Sequence, residues 1–356
     1  MQRSEYANNF LYSCRTKIII TNYSLTFNKK AFFNFAFYFL KGKNIMYLSS
    51  DLFTEVYFMV KTPVFKGSCT ALITPFDKDG KPDYQRLKAN IDFQYENGTS
   101  AIVICGTTGE GATVSANEYE ELTRFAVREV NGKMKVIAGI GGNNTLTAYS
   151  KAESAKFLGA DAVLMVTPYY NKTTQKGLID HFSYVADRVD IPIILYNVPS
   201  RTGMSISPDT YKKLSEHPNI VGVKEASGDI SHIGQIISRC GNDLYVWSGN
   251  DDNTVPMMAL GALGVISVAS NIIPGVVSKL CRHCLDGEYA EAAELTAKYT
   301  ALFNALFIET NPIPIKTAMK MLGADSGVMR LPLTEMSESN YAFLKNTLVS
   351  SGFNII

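Results

Sequence analysis

A lysine stands where an apolar strand would be expected to continue. Lys224 follows Ile220-Val-Gly-Val223 and precedes Glu-Ala-Ser-Gly228. An amine drawn out of water loses the hydration that favours its charged form, and the freed lone pair can attack a carbonyl carbon. Read alone, Lys224 could equally send its ammonium to solvent or pair with Glu225. Tyr196 lies 28 residues earlier, one strand–helix unit away, so the two would stand at similar height on adjacent strands. A phenol beside an amine can shuttle the protons needed to form and dehydrate a carbinolamine. Without that neighbour, Tyr196 reads as an amphipathic core residue. Thr107 and Thr108 follow an apolar run and precede a glycine, a pattern that can cradle a small carboxylate or simply make a turn. Arg201 could grip a carboxylate with two parallel hydrogen bonds, or lie solvated on a loop. Together these residues supply an amine nucleophile, a proton shuttle and two anion grips.

Something must hold them at one face. From Cys69 onward the chain alternates short apolar runs with amphipathic stretches. The runs are Cys69–Phe76, Ala101–Cys105, Lys135–Ile140, Ala162–Thr167, Pro192–Tyr196, Ile220–Val223, Leu244–Trp247 and Gly264–Ala269. Near-continuous apolar strands imply burial on both faces, as in a parallel sheet. Ser115-Ala-Asn-Glu118 fits a capping box, and Ser207-Pro208 places a cap before proline at the first helical position. Eight such units predict a TIM (β/α)8 barrel over residues 59–285, followed by a C-terminal helical extension over 286–356, with Asn311-Pro-Ile-Pro314 as a turn. Gly139-Ile-Gly-Gly142 lacks the third glycine of a dinucleotide fingerprint. In a TIM barrel, chemistry sits at the C-terminal strand ends, where all the residues named above fall.

The composition narrows the partners. A net charge of +1 gives no electrostatic reason to expect nucleic acid or an anionic membrane. The four histidines are scattered without zinc-ligand spacing, and Cys281-Arg-His-Cys284 offers one pair where a structural zinc needs four ligands. Six cysteines without a framework, in a chain this long, point to reduced thiols in a cytoplasmic enzyme.

Residues 1–58 differ from the rest. They hold 15 of the 39 aromatic residues and only three acids, and no glycine precedes Gly42. Their apolar run, 31–40, is too short to span a bilayer, which takes roughly 20 residues. No small-residue cleavage site follows it. The segment reads as upstream translated sequence, with the natural start at Met59 or nearby. A native-gene product whose intact mass includes 1–58 would refute this.

From about Phe65 to Leu333 the chain resembles the 4-hydroxy-tetrahydrodipicolinate synthase (dihydrodipicolinate synthase) family. The residues that carry the resemblance are Gly106-Thr-Thr-Gly-Glu110, Pro168-Tyr-Tyr-Asn171, Tyr196-Asn-Val-Pro-Ser-Arg-Thr-Gly203 and Val223-Lys-Glu-Ala-Ser-Gly228. Ser248-Gly249, Gly264-Val-Ile-Ser-Val268 and Asn311-Pro-Ile-Pro-Ile-Lys316 add to it. The resemblance implies a lyase in which Lys224 forms a Schiff base with pyruvate. Tyr196 would relay protons with Thr107 and with Tyr170 of a neighbouring subunit, making the active form a dimer or a tetramer. Thr108, Gly249 and the backbone of Ile266 would hold pyruvate, and Arg201 would bind the second substrate, L-aspartate-4-semialdehyde. The chemistry it implies uses no cofactor and no metal, and feeds diaminopimelate and lysine biosynthesis.

Two rival readings fit the same residues. N-acetylneuraminate lyase and keto-deoxy sugar-acid aldolases share the lysine and tyrosine, but Arg201 suits a short acidic aldehyde better than a polyol. A non-catalytic keto-acid-binding barrel would be expected to have lost Lys224, Tyr196 or Arg201. One departure from the family also has a consequence. Lysine-inhibited members place histidines and a glutamate in an effector pocket, where this chain has Ala116, Tyr119 and Thr147, although Asn143 remains. Fewer groups are left to hold lysine, so feedback inhibition is predicted to be weak or absent. Half-inhibition by sub-millimolar lysine in a turnover assay would contradict that.

Overall fold

The computed structural model describes residues 36–39, 45–49, 56–59 and 61–355. The upstream extension expected over 1–58 therefore lies for the most part outside the described residues. The chain divides into two units, residues 1–62 and 63–356. In the first, β1 (Ala36–Phe39), β2 (Ile45–Ser49) and β3 (Val56–Met59) form an antiparallel sheet in that order, with Tyr47 opposite both Tyr38 and Tyr57.

The second unit is a closed barrel of eight parallel strands. These are β4 (Gly67–Ala71), β5 (Ala101–Ile104), β6 (Lys135–Gly139), β7 (Ala162–Val166), β8 (Ile193–Asn197), β9 (Ile220–Glu225), β10 (Tyr245–Ser248) and β11 (Gly264–Ser267). β11 pairs with β4 and β9 with β10, which closes the ring. Each apolar run read from the sequence overlaps one strand. The first run overreaches, because β4 ends at Ala71 and residues 72–76 continue as a buried segment. Pro75 has no N–H to extend a ladder there.

Helices α1 (Tyr84–Glu96), α2 (Ala116–Val130), α3 (Thr145–Phe157) and α4 (Gln175–Ala186) link β4 through β8 in turn. After β8 come a short turn of helix, α5 (Pro199–Thr202), and then α6 (Pro208–Leu214). The outer ring is completed by α7 (Ile230–Cys240), α8 (Thr254–Ala259) and α9 (Pro274–Asp286). The Ser115–Glu118 capping box forms as expected, and Ser207 caps α6 ahead of Pro208. Cys281 and Cys284 are buried on α9, and burial pushes the Cys284 thiol up to about 11. Among the described residues no helix is long and apolar enough to cross a membrane.

The C-terminal helices α10 (Tyr289–Ala305), α11 (Ile313–Met321) and α12 (Glu338–Ser350) pack together, with α12 against both others. They are anchored to the barrel by polar contacts that no local pattern announces. Lys316 of α11 is fully buried and donates to Glu110 at 2.7 Å and to the Thr74 carbonyl at 2.9 Å, with its ammonium over the Phe76 ring. Arg330 donates to the carbonyls of Gly80 and Thr113 and to the Glu118 carboxylate, whose pKa this contact lowers to about 2.

Candidate active site

The barrel floor is apolar. Phe65 stacks on Trp247 with ring centroids 4.9 Å apart. Gly222 makes room for that indole, because a Cβ there would fall 2.4 Å from its ring. Above this floor Tyr196 and Lys224 are partners on the same rung of β8 and β9, both buried, with the Lys224 ammonium 4.6 Å from the centroid of the tyrosine ring. Packing an aliphatic stem and a phenol across one rung is what two adjacent inward-facing positions allow. Lys224 does not share its charge with Glu225. That carboxylate turns to Asn197, Tyr211 and the Ser227 N–H.

A cavity of about 420 Å³ opens over the pair, lined by Lys224, Tyr196, Thr107, Thr108, Arg201 and Gly249 among others. An adjoining space of about 320 Å³ shares Thr107, Tyr196 and Arg201 and extends to Tyr169 and Gly141. Gly249 is required by space, since a Cβ would come 2.5 Å from that of Ala226. Two further groups sense the amine. Burial pushes the Cys69 thiol on β4 up, with Lys224 acting in the opposite direction. Burial also raises Asp251, while its bonds from Ser267 and from the Ala269 and Val268 N–H groups, and the Lys224 charge, lower it.

Six of the eight residues singled out from sequence thus converge on one cavity. Ile266 is fully buried on β11 beside Cys69, and Tyr170 is 93% exposed with φ 68°; neither lines the cavity. The first tyrosine of the Pro168–Asn171 motif, Tyr169, lines the adjoining space instead. The sequence marks Asn311 only as a turn residue and part of the Asn311–Lys316 motif. Its side chain donates to the Thr108 hydroxyl at 2.9 Å and its carbonyl accepts from Arg201 at 2.8 Å, so one residue joins Thr108 to Arg201. No spacing rule reaches across the 203 positions separating it from Thr108.

The family model for the dihydrodipicolinate synthetase family matches residues 64–351, with the strand-end residues above falling inside the match. The chain belongs to the dihydrodipicolinate synthetase family. A relative from Thermoanaerobacter sp. (strain X514), a 4-hydroxy-tetrahydrodipicolinate synthase, is 50% identical over 291 residues, covering 82% of this chain and 98% of the relative. The crystal structure of dihydrodipicolinate synthase from Aquifex aeolicus is 50% identical with a TM-score of 0.80, covering 82% of this chain and 99% of that one. The chloride-inhibited enzyme from Acinetobacter baumannii, solved in complex with pyruvate, is 42% identical with a TM-score of 0.80 over 82% of this chain and 99% of its own. Membership of the dihydrodipicolinate synthetase family agrees with the barrel and with an amine facing a small polar cavity.

Proposed function

We propose that this chain condenses pyruvate with L-aspartate-4-semialdehyde to give 4-hydroxy-tetrahydrodipicolinate. The observation that carries this reading is the buried Lys224–Tyr196 rung beneath a cavity that also presents Arg201. The Lys224 amine adds to the ketone carbon of pyruvate, and the carbinolamine loses water to leave an iminium. Tyr196 returns the proton to the departing hydroxyl, then helps remove one from the methyl carbon to form the enamine. That carbon attacks the aldehyde. The substrate's own amine closes the ring at the former ketone carbon and releases Lys224 unchanged, so one water leaves per turnover.

The other residues take supporting parts. Thr108, with Gly249, receives the pyruvate carboxylate, while Arg201 receives that of the semialdehyde and is steadied by the Asn311 carbonyl. A charged guanidinium suits a short acidic aldehyde, which favours this substrate over a polyol. Tyr170 projects from its own subunit on a left-handed backbone, a conformation that costs energy for a residue with a Cβ. Such a side chain is suited to reach the Thr107 hydroxyl of a second copy, completing the proton relay in a dimer or tetramer.

The test is to incubate the protein with pyruvate and sodium borohydride, measure intact mass, and follow semialdehyde consumption in a coupled assay. A gain of one reduced pyruvate with turnover of the semialdehyde supports the reading. An adduct without turnover would return the weight to a sugar-acid aldolase, and no adduct would leave a binding protein. Tyr196→Phe is expected to keep the fold and lower kcat by about 10²-fold or more, the scale of a lost general acid–base group. A rate within about threefold of wild type would remove Tyr196 from the relay.

A further inference from the structure

Directly above the reactive rung lies a second one, Asn197 opposite Glu225, on the same two strands. Side chains alternate along a strand, so while Tyr196 and Lys224 face the barrel interior, Asn197 and Glu225 face the helical layer. Glu225 is completely buried. Both of its oxygens accept from Asn197 Nδ2 at 3.0 Å, Oε1 accepts from the Ser227 N–H at 2.8 Å, and Oε2 accepts from the Tyr211 hydroxyl of α6 at 2.9 Å. Asn197 is fixed in turn, with its Oδ1 accepting from the Ile206 N–H at 3.1 Å. The His232 ring leans on Tyr211, with Nε2 3.9 Å from Glu225 Oε2. A buried carboxylate with this many donors resists displacement, because any shift strands one of them away from water.

We propose that Glu225 is a positioning residue, whose carboxylate clamps the ends of β8 and β9 so that the Lys224 amine is held beside the Tyr196 phenol. It touches no substrate; it acts through the two residues that precede it and its rung partner. The inference rests on the Schiff-base reading of Lys224. A residue needed only for folding would change how much folded protein there is, and a positioning residue changes the rate per folded molecule.

The experiment measures the rate of borohydride-trapped pyruvate adduct on full-length wild type, Glu225→Ala, Glu225→Gln and Tyr211→Phe, each shown folded by circular dichroism at the assay temperature. KM for the semialdehyde is measured alongside. Glu225→Ala is expected to trap pyruvate about tenfold or more slower, since small misplacements at reacting groups cost on that scale, while KM stays within about twofold because Arg201 is held separately. Glu225→Gln is expected to recover to within about threefold of wild type, its oxygen still accepting from Ser227 and Asn197 while the Tyr211 hydroxyl turns to accept. Tyr211→Phe removes one donor far from substrate and is expected to slow trapping to an intermediate rate. Trapping at the wild-type rate in Glu225→Ala, or in Tyr211→Phe if the alanine variant does not fold, overturns the proposal. Equal slowing in the glutamine and alanine variants overturns it too, because the first keeps the geometry. A wild type that forms no adduct removes the Schiff-base reading and this inference together, whereas failure in the variants alone removes only the inference.

Discussion

Replacing Lys224 with alanine is expected to give a folded barrel that acquires no pyruvate under borohydride and turns over more than about 10³-fold slower, the scale of deleting a covalent nucleophile. The fold should survive because Lys224 contributes its stem to the cavity wall rather than a bond that another buried group depends on. Glu225, its chain neighbour, is satisfied by Asn197, Tyr211 and Ser227. Among the described residues the other buried lysine, Lys316 of α11, is not placed to substitute, because its ammonium is already donated to Glu110 and Thr74. Mass spectrometry of the trapped protein, with circular dichroism as the folding control, decides it. An adduct on Lys224→Ala would move the nucleophile elsewhere.

Replacing Lys316 with methionine should be among the most damaging single changes to stability, about 3–5 kcal/mol, because it leaves a carboxylate buried without its cation. Lys316 and Glu110 are both wholly inaccessible to solvent, and Glu110 also holds the Arg330 N–H at 2.9 Å through its second oxygen. Glu110 sits on a left-handed backbone with φ 53°, a conformation the surrounding bonds must sustain. Thr107 and Thr108 belong to the same loop, and the Thr74 hydroxyl donates to the Gly109 carbonyl at 2.6 Å. Losing the pair should therefore loosen the Thr107–Thr108 turn as well as the docking of α11. Urea unfolding measures the loss, and adding Glu110→Gln should recover part of it by removing the stranded charge while keeping an acceptor for Arg330. If Lys316→Met were within about 1 kcal/mol of wild type, the pair would contribute no more than an exposed one.

Much of this was legible in the chain because it depends on local rules. Burial on both faces requires near-continuous apolar runs, so the eight strands and their order could be read from Cys69–Phe76 through Gly264–Ala269. Helix starts at Ser115 and Ser207 follow from nearby backbone donors that need acceptors. A lysine within such a run and a tyrosine one unit earlier then fall on neighbouring strands by arithmetic, and the register puts them on one rung.

Contacts set by closure of the barrel and docking of the C-terminal helices were a different matter. Which way Glu225 turns depends on Tyr211 and Asn197 meeting it from two other elements. Glu110 reads as part of a loop motif until Lys316 arrives from 206 residues away. Asn311 reads as a turn before proline until Thr108 and Arg201 close on it. The strands, their order and the amine–phenol pair follow from periodicity and spacing, which act over a few residues or one repeat. How those groups are held follows from contacts that exist only once the chain has folded. The partners of a buried charge are whichever donors and acceptors the fold brings within about 3 Å, and their distance along the chain plays no part in that energy.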